Sequence, residues 1–353
     1  METRSATGAT PRKAAAAASS STKTATTTTT TPRRRAQAAN QPPSTPSPSP
    51  SKWLAANPSK RWAEVFFLAY SPFWIAWALC VIVPLGLYDR LDAWGYLAVG
   101  LAAALPCFLL PLLVLPPCAA DAGVPLSRRY WVKANVWVAV FSHVGNYFWT
   151  HYFFNLLGAR YTFPAHLLNG VPVALYLMTH AYFCFYHALA NVALRRVESA
   201  LAGRSAALRK AARAAAVFAL AYATAYGETL TIAHFPHYTF VDRSRMYTVG
   251  SLFYALYFWV SFPLFMRIDE HEWAGKESGS GGGGGPGGGG GGGGGDGDRW
   301  GLGAVALDAL AAGMLVTILL DAWRLVVGGI VDDPASAAAA QQGLQWAAQQ
   351  GGR

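Results

Sequence analysis

Two histidines lie inside an apolar, aromatic stretch that is long enough to cross a membrane. The stretch runs from residue 128 to 164, and it contains His143 and His151 with Asn146 between them. Ionisable groups are costly in lipid, so they normally face the interior of a helix bundle or a cavity. We therefore predict that this helix carries part of an active site, with both histidines as candidate catalytic groups and Asn146 as a candidate substrate-binding residue.

Aromatic side chains accompany these polar groups on the same helix. At ~100° per residue, His143, Tyr147 and Thr150 share one helical stripe. Tyr147 and Trp149 offer π-surfaces, which can stabilise a cation. We predict that both bind substrate, and packing against lipid is the alternative for Trp149.

A second polar stripe lies on the next predicted helix. His180, Cys184 and His187 follow one another at steps of four and three, which keeps them on one helical face. Two histidines one heptad apart can serve a shared pocket, so His180 and His187 are candidate catalytic residues and Tyr182 is a candidate for substrate binding. Alternatively, each histidine only hydrogen-bonds a neighbouring helix.

A lone carboxyl, Glu228, lies on the following helix and is the only carboxylate between Glu198 and Asp242. We expect it near mid-span, where desolvation favours the protonated form and makes it a candidate general acid. A neutral Glu228 that only bonds a backbone carbonyl is the alternative. Tyr226 is a candidate for substrate binding, and Asp242, after the segment HFPHYTF, is predicted either to cap the pocket or to form an exposed ion pair.

The composition excludes an ordinary soluble fold. Of 353 residues, 53% are hydrophobic and only 13% are charged, which is typical of a polytopic membrane protein. The net charge of +10 does not indicate a nucleic-acid partner, because ten of the 28 Lys and Arg precede Trp62 and six more lie between Arg195 and Arg213, a pattern of cytosolic loop charge. The four cysteines are scattered singly, which predicts apolar packing and neither a disulfide framework nor a metal site.

Apolar runs of spanning length predict an all-α, polytopic membrane helix bundle of about seven transmembrane helices. The runs lie at about 62–87, 94–117, 131–157, 171–193, 212–234, 247–267 and 302–327. Lys and Arg concentrate in alternate loops, so we expect a cytosolic N-terminus and a lumenal C-terminus.

The rest of the chain predicts flexible segments around one membrane domain. Residues 1–51 form a Ser/Thr/Ala/Pro-rich tail and residues 331–353 an Ala/Gln-rich tail, both too poor in apolar residues to fold. The membrane domain, 52–330, is interrupted by a Gly-rich linker at 279–297. The acid-poor first tail leaves an organellar transit peptide as the alternative to plain disorder.

Several long strings resemble one protein family. They are WLAANPSKRW at 53–62, RYWVKAN at 129–135, VGNYFWTHYFF at 144–154, LGARYTFP at 157–164, HFPHYTFVDRSRMY at 234–247, SLFYALYFWVSFPLFMRIDE at 251–270 and DALAAGMLVTILLDAWRL at 308–325. Over most of residues 52–330 the chain resembles the cycloeucalenol cycloisomerases, the cyclopropyl sterol isomerases of the plant and algal sterol pathway. The resemblance implies a sterol substrate, a place in the endoplasmic reticulum membrane, contact with membrane lipid and other enzymes of the sterol pathway as partners.

The implied reaction opens the 9β,19-cyclopropane ring of cycloeucalenol to give obtusifoliol. It adds a proton to the ring methylene, passes through a tertiary cation and removes a neighbouring proton, so it requires no redox cofactor or metal. An acid, a base and an aromatic lining in a dry slot suffice. The candidates are Glu228 or a histidinium as acid, His143, His151, His180 or His187 as base, and Tyr147, Trp149, Tyr182 or Tyr226 as lining.

Other classes of membrane protein share some of these features. A proton-coupled transporter also buries His, Glu and Asp, and a non-catalytic sterol-binding protein is a further alternative. The sequence shows neither the internal inverted repeat nor the matching pair of broken helices that is typical of a transporter. A di-iron sterol oxidase would need clustered histidines, whereas the intramembrane histidines here are eight and seven residues apart.

We predict that the first tail and the glycine-rich linker are dispensable for catalysis, because neither has the composition to contribute packed surface. Deleting residues 1–50 and 279–297 together should leave turnover per molecule in membranes nearly unchanged. A collapse of turnover at unchanged protein abundance would show that one segment belongs to the catalytic unit.

Overall fold

The computed structural model describes residues 53–116, 118–241, 243–270 and 300–327. Both predicted tails and the glycine-rich linker lie outside the described residues, so the domain boundaries stay predictions. What the structure describes is a helical bundle with two short antiparallel ladders.

The chain order of the bundle is as follows. The helices are α1 (Pro58–Ala76), α2 (Ala93–Ala104), α3 (Pro106–Leu109), α4 (Tyr130–Val144), α5 (Thr150–Leu157), α6 (Val173–Ala200), α7 (Ala206–Ile232), α8 (Arg243–Arg245), α9 (Ser251–Met266) and α10 (Leu302–Val327). Turns of π-helix continue or join them at Trp77–Ile82, Leu110–Val114, Gly145–Trp149 and Met246–Gly250. Strand β1 (Arg160–Tyr161) pairs with β4 (Tyr238–Thr239), and β2 (Leu167–Leu168) pairs with β3 (Val171–Pro172).

Five helical segments are long and apolar enough to cross a membrane. They are Pro58–Ile82, Ala93–Val114, Val173–Ala200, Arg243–Met266 and Leu302–Leu325. The prediction of a membrane helix bundle is therefore confirmed. The two other predicted spans are helical as well, as α4–α5 and α7, but they are not among these five segments.

The first helix begins where the sequence provides a complete N-terminal cap. The Asn57 side chain accepts hydrogen bonds from the backbone amides of Ser59 at 3.0 Å and Lys60 at 3.3 Å, and Pro58 occupies the first helical position. A capping side chain satisfies amides that have no partner within the helix, and proline at this position loses no hydrogen bond. This cap fixes the start of α1, and Lys60 lies in the first turn of that helix.

Buried charges join four helix ends at one end of the bundle. We name them the ion cluster, which consists of Lys60, Glu64, Lys133, Arg195, Asp269 and Glu270. Arg195 donates to both oxygens of Glu64 at 2.8 and 3.0 Å and to both oxygens of Glu270 at 2.7 and 2.9 Å. Lys60 Nζ lies 2.7 Å from Glu270 Oε2, which also accepts from Arg195. These pairs connect the starts of α1 and α4 with the end of α6 and the segment after α9.

Arg195, which we predicted to be loop charge, lies within α6 and is only 8% exposed, so it belongs to the buried ion cluster. Burial alone would raise the pKa of the Glu270 carboxyl, but the hydrogen bond and charge of Arg195, together with Lys60, outweigh it and lower that pKa to about 2. Glu270 is therefore ionised at neutral pH. A buried arginine is tolerated here because the carboxyls of Glu64 and Glu270 both accept its hydrogen bonds.

We predict that Arg195→Met destabilises the bundle strongly, because it leaves Glu64 and Glu270 without their shared partner. Removing one member of a buried pair costs about 3–5 kcal/mol. The thermal midpoint in detergent should fall by at least ~6 °C. The matched control is Arg209→Met, at an exposed arginine in the first turns of α7, which should shift the midpoint by less than ~2 °C. Equal midpoints for the two variants would contradict a structural role for the ion cluster.

Candidate active site

A cavity opens at the end of the bundle opposite the ion cluster. It is lined by the end of α7, the first turns of α6, the start of α9 and the region where α4 joins α5. Its empty space, including the open mouth, is about 750 Å³.

Glu228 is the one carboxyl among the described residues that line this cavity. Its side chain is half-buried, and no ion pair in the described part of the chain includes it. The hydroxyl of Tyr254 on α9 donates a hydrogen bond to Glu228 Oε2 at 2.8 Å, and Tyr186 on α6 also interacts with this carboxyl. No cation offsets the cost of ionising this carboxyl, whereas hydrogen bonds from the two hydroxyls stabilise its charged form.

Tyrosines make up much of the cavity lining. Those that line it are Tyr161, Tyr182, Tyr238, Tyr254 and Tyr257. Tyr161 and Tyr238 face each other across the β1–β4 ladder, with ring centroids 4.3 Å apart and planes within 9°. The ladder therefore closes the cavity with two stacked rings.

Tyr257 differs from the other tyrosines of the lining. Its hydroxyl is buried and has no hydrogen-bond partner within the part of the chain that the structure describes. A buried hydroxyl normally finds a partner, and leaving one without costs free energy. Tyr257 therefore offers a free donor and acceptor to a molecule in the cavity.

The joint between α4 and α5 brings polar groups to the cavity. Its π-helical turn runs from Gly145 to Trp149, and a Cβ on Gly145 would lie 2.9 Å from the Trp149 ring, so glycine is needed there. Trp149 donates from Nε1 to Thr317 of α10 at 2.9 Å, and its ring lies 4.5 Å from that of Tyr257. The tryptophan that we predicted to bind substrate thus supports the cavity lining from behind and is not part of it.

Three of the predicted site residues meet in the cavity, namely Glu228, Asn146 and Tyr182. Asn146 donates to the Ser142 carbonyl at 2.9 Å, and its Oδ1 lies 3.5 Å from the Thr179 hydroxyl. Glu228 lies one turn from the end of α7 at Ile232, not near mid-span as expected. The cavity is correspondingly at the end of the bundle and not at its centre.

The two buried histidines of α6 lie outside the cavity lining. His187 hydrogen-bonds the Phe183 carbonyl through Nδ1 at 2.8 Å and the Ser261 hydroxyl through Nε2 at 2.9 Å. His180 Nε2 lies 2.9 Å from Asn135 Oδ1. Both nitrogens of His187 have partners, so the structure favours the alternative of a hydrogen bond between helices for this residue.

Four more predicted site residues lie away from the cavity lining, namely His143, Tyr147, His151 and Tyr226. His143 is exposed and stacks near Tyr147, with ring centroids 6.1 Å apart. His151 hydrogen-bonds the Asn169 carbonyl at 2.9 Å through Nε2. Tyr226 stacks on Tyr222 of its own helix at 5.9 Å. Asp242 lies outside the described residues.

Sequence reasoning missed four tyrosines of the lining, which are Tyr161, Tyr238, Tyr254 and Tyr257. The last two are three residues apart on α9, so their shared helical face was visible in the sequence. What was not visible is that this face meets Glu228 on α7. Tyr161 and Tyr238 lie in short strands that no periodicity marks.

Comparison with known proteins decides the family. A curated relative, the cycloeucalenol cycloisomerase of Arabidopsis thaliana, is 48% identical over 300 residues, which cover 85% of this chain and 98% of that protein. The chain belongs to the cycloeucalenol cycloisomerase family. The family resemblance inferred from the sequence strings is therefore confirmed. No family model and no solved structure matches the chain.

For this member of the cycloeucalenol cycloisomerase family, we predict that Tyr254→Phe lowers turnover by ~10–100-fold, because it removes a hydrogen bond that stabilises the charged form of Glu228. Conversion of cycloeucalenol in microsomes measures the effect. Tyr222→Phe removes a hydroxyl that lies outside the cavity and is the matched control, with turnover unchanged. If both variants turn over alike, the hydroxyl of Tyr254 has no part in catalysis.

Proposed function

We propose that the chain isomerises cycloeucalenol to obtusifoliol in the cavity around Glu228. The observation that carries the proposal is the lone carboxyl that lines an aromatic cavity, without a counter-cation in the described part of the chain. Opening a cyclopropane ring needs a proton donor that keeps its proton until the substrate arrives. A partly buried carboxyl with no cation beside it meets this need.

Glu228 acts first as the general acid. Because Oε2 accepts the hydrogen bond from Tyr254, the transferable proton belongs on Oε1. This proton passes to the methylene of the cyclopropane, one bond of the ring breaks, and the positive charge is left on the tertiary ring carbon. Proton transfer by a positioned group contributes typically ~10²–10⁴-fold to a rate.

The aromatic lining stabilises the cation that forms. Tyr182, Tyr257 and Phe153 present rings to the cavity, and aromatic faces attract positive charge, more strongly when water is absent. The carboxylate left on Glu228 adds an opposite charge to the same small space. The cation thus lies between fixed groups of the right polarity.

The same carboxylate is then the nearest base. The four histidines predicted for this role lie outside the cavity lining, so we move the role from them to Glu228. The carboxylate takes the proton from the carbon next to the cation, the double bond forms, and Glu228 regains the neutral form in which it began. One proton is added and one is removed, so the reaction balances without a cofactor.

The free hydroxyl of Tyr257 fits a second requirement, which is orientation of the sterol. A sterol is apolar except for its hydroxyl group, and a site that hydrogen-bonds such a group fixes the orientation of the molecule. Pairing with the sterol hydroxyl would satisfy Tyr257, whose own hydroxyl is buried without a partner among the described residues.

The decisive variant is Glu228→Gln, which keeps the shape of the side chain and removes the transferable proton. With cycloeucalenol supplied to yeast microsomes that contain the chain, obtusifoliol formation by mass spectrometry should fall at least ~10²-fold. Glu198→Gln, at a half-exposed carboxyl paired with Arg213 on the surface, is the matched control and should retain turnover. Turnover of Glu228→Gln within a few-fold of the wild type would place the acid elsewhere.

We further propose that the chain crosses the endoplasmic reticulum membrane seven times, with α4–α5 and α7 as spans in addition to the five apolar segments. The ion cluster joins the starts of α1 and α4 to the ends of α6 and α9, as alternating spans require. The loops at the other end meet through the β1–β4 ladder. The excess of Lys and Arg at the ion-cluster end supports a cytosolic position for that end.

Glycosylation tags test this topology. A tag between Ser199 and Ser205 should remain unmodified because this loop is cytosolic, and a tag at the C-terminus should be glycosylated because that end is lumenal. A glycosylated tag in the loop after α6, or an unmodified C-terminal tag on an inserted protein, would rule out the seven-span arrangement.

A further inference from the structure

Two cysteines and a histidine from distant parts of the sequence meet inside the bundle. Cys107 lies on α3, and His180 and Cys184 lie four residues apart on α6. The two sulfurs and one ring nitrogen all lie within 4.8 Å of one another, and Cys184 Sγ is 3.7 Å from His180 Nε2. All three residues are buried, with at most 5% of their surface exposed.

We propose that Cys107, His180 and Cys184 bind a zinc ion. Zinc takes thiolate sulfur at ~2.3 Å and imidazole nitrogen at ~2.0–2.1 Å in a tetrahedron, which places sulfur and nitrogen ~3.6 Å apart. The observed separation of 3.7 Å already matches this geometry. The spacing of His180 and Cys184 puts both side chains on one face of a helix, so they approach an ion from the same side.

Asn135 of α4 provides a fourth donor atom. Its Oδ1 lies 2.9 Å from His180 Nε2, and its amide group donates to the carbonyls of Cys107 at 3.1 Å and Trp131 at 2.9 Å. These bonds hold the oxygen toward the cluster. In the metal-bound form the ion would replace the proton that lies between His180 Nε2 and Asn135 Oδ1. This nitrogen and this oxygen would then move apart by ~0.5 Å to reach the spacing of two ligands in a tetrahedron.

Charge balance favours this ligand set inside a membrane. Two thiolates cancel the two positive charges of zinc, and a neutral imidazole and an amide oxygen add none, so the complex is neutral overall. A neutral complex avoids the cost that an unbalanced buried charge would carry. Binding releases the two thiol protons to solvent, and the imidazole proton moves from Nε2 to Nδ1.

The site holds the helix that carries part of the cavity lining. His180 and Cys184 do not line the cavity, but Thr179, Tyr182 and Phe183 do. Four protein ligands leave no open position on the ion, which is the arrangement of a structural zinc site and not of a catalytic one. The ion would tie α3 and α4 to α6 and fix the position of the cavity-lining residues.

The test measures metal in the full chain, purified in detergent without chelator. Elemental analysis should find about one zinc per chain in the wild type and in Cys80→Ser, a control at an exposed cysteine. The Cys184→Ser variant should contain less than ~0.2 zinc per chain. A wild type without zinc that also takes up none when zinc is added overturns the proposal, and so does equal zinc in Cys184→Ser and the control.

Two further measurements keep the proposal falsifiable if Cys184→Ser does not fold. Cobalt exchanged into the wild type should show the near-ultraviolet absorption of thiolate-to-cobalt charge transfer, and its absence from cobalt-loaded protein overturns thiolate ligation. A thiol titration of denatured protein without reductant should find four free thiols, whereas two would indicate a disulfide and also overturn the proposal. Neither measurement depends on turnover, so failure here and failure of Glu228 as the acid are distinguishable.

Discussion

Inside a membrane a charged side chain must find its counter-charge within the protein, and Arg195 meets this requirement for several helices at once. Its guanidinium makes four hydrogen bonds to Glu64 and Glu270 in two bidentate pairs, and Lys60 also pairs with Glu270. Arg195 lies on α6, and these partners come from α1 and from the segment after α9. The relative positions of these helices depend on that pairing, and the cavity at their other ends depends on those positions.

The two ends of the bundle therefore differ in how their carboxyl groups are paired. At the ion cluster three cations face three carboxylates, so charge is balanced and the side chains are fixed. At the cavity Glu228 pairs with hydroxyls and with no cation of the described residues, so no opposite charge holds it in the ionised form and its proton can be given away. One end is suited to hold the helices, and the other is suited to move a proton.

Titratable groups inside a membrane are expected to mark the catalytic centre, but His180 and His187 do not line the cavity. His187 has a partner on each ring nitrogen, and His180 pairs with Asn135 beside two cysteines. Both pairings lie behind the cavity and connect helices. Polar side chains in a bundle interior need partners whether or not they react, so residue type and depth do not separate structural from catalytic groups.

Much was determined by the sequence alone. The length of the apolar runs predicted a membrane helix bundle, and the strings around WLAANPSKRW and VGNYFWTHYFF indicated the family. Glu228 was singled out because no other carboxyl is near it in the sequence, and the structure shows that it lines the cavity. These are properties of composition and of local order, and one helix or one segment carries each of them. The tertiary structure alone decided which groups meet. Glu64 and Arg195 are 131 positions apart, and Tyr254 reaches Glu228 from another helix, so helical periodicity could order each face but not pair it with a neighbour. Pairing is set by how side chains pack between helices, and that information is not contained in any single helix.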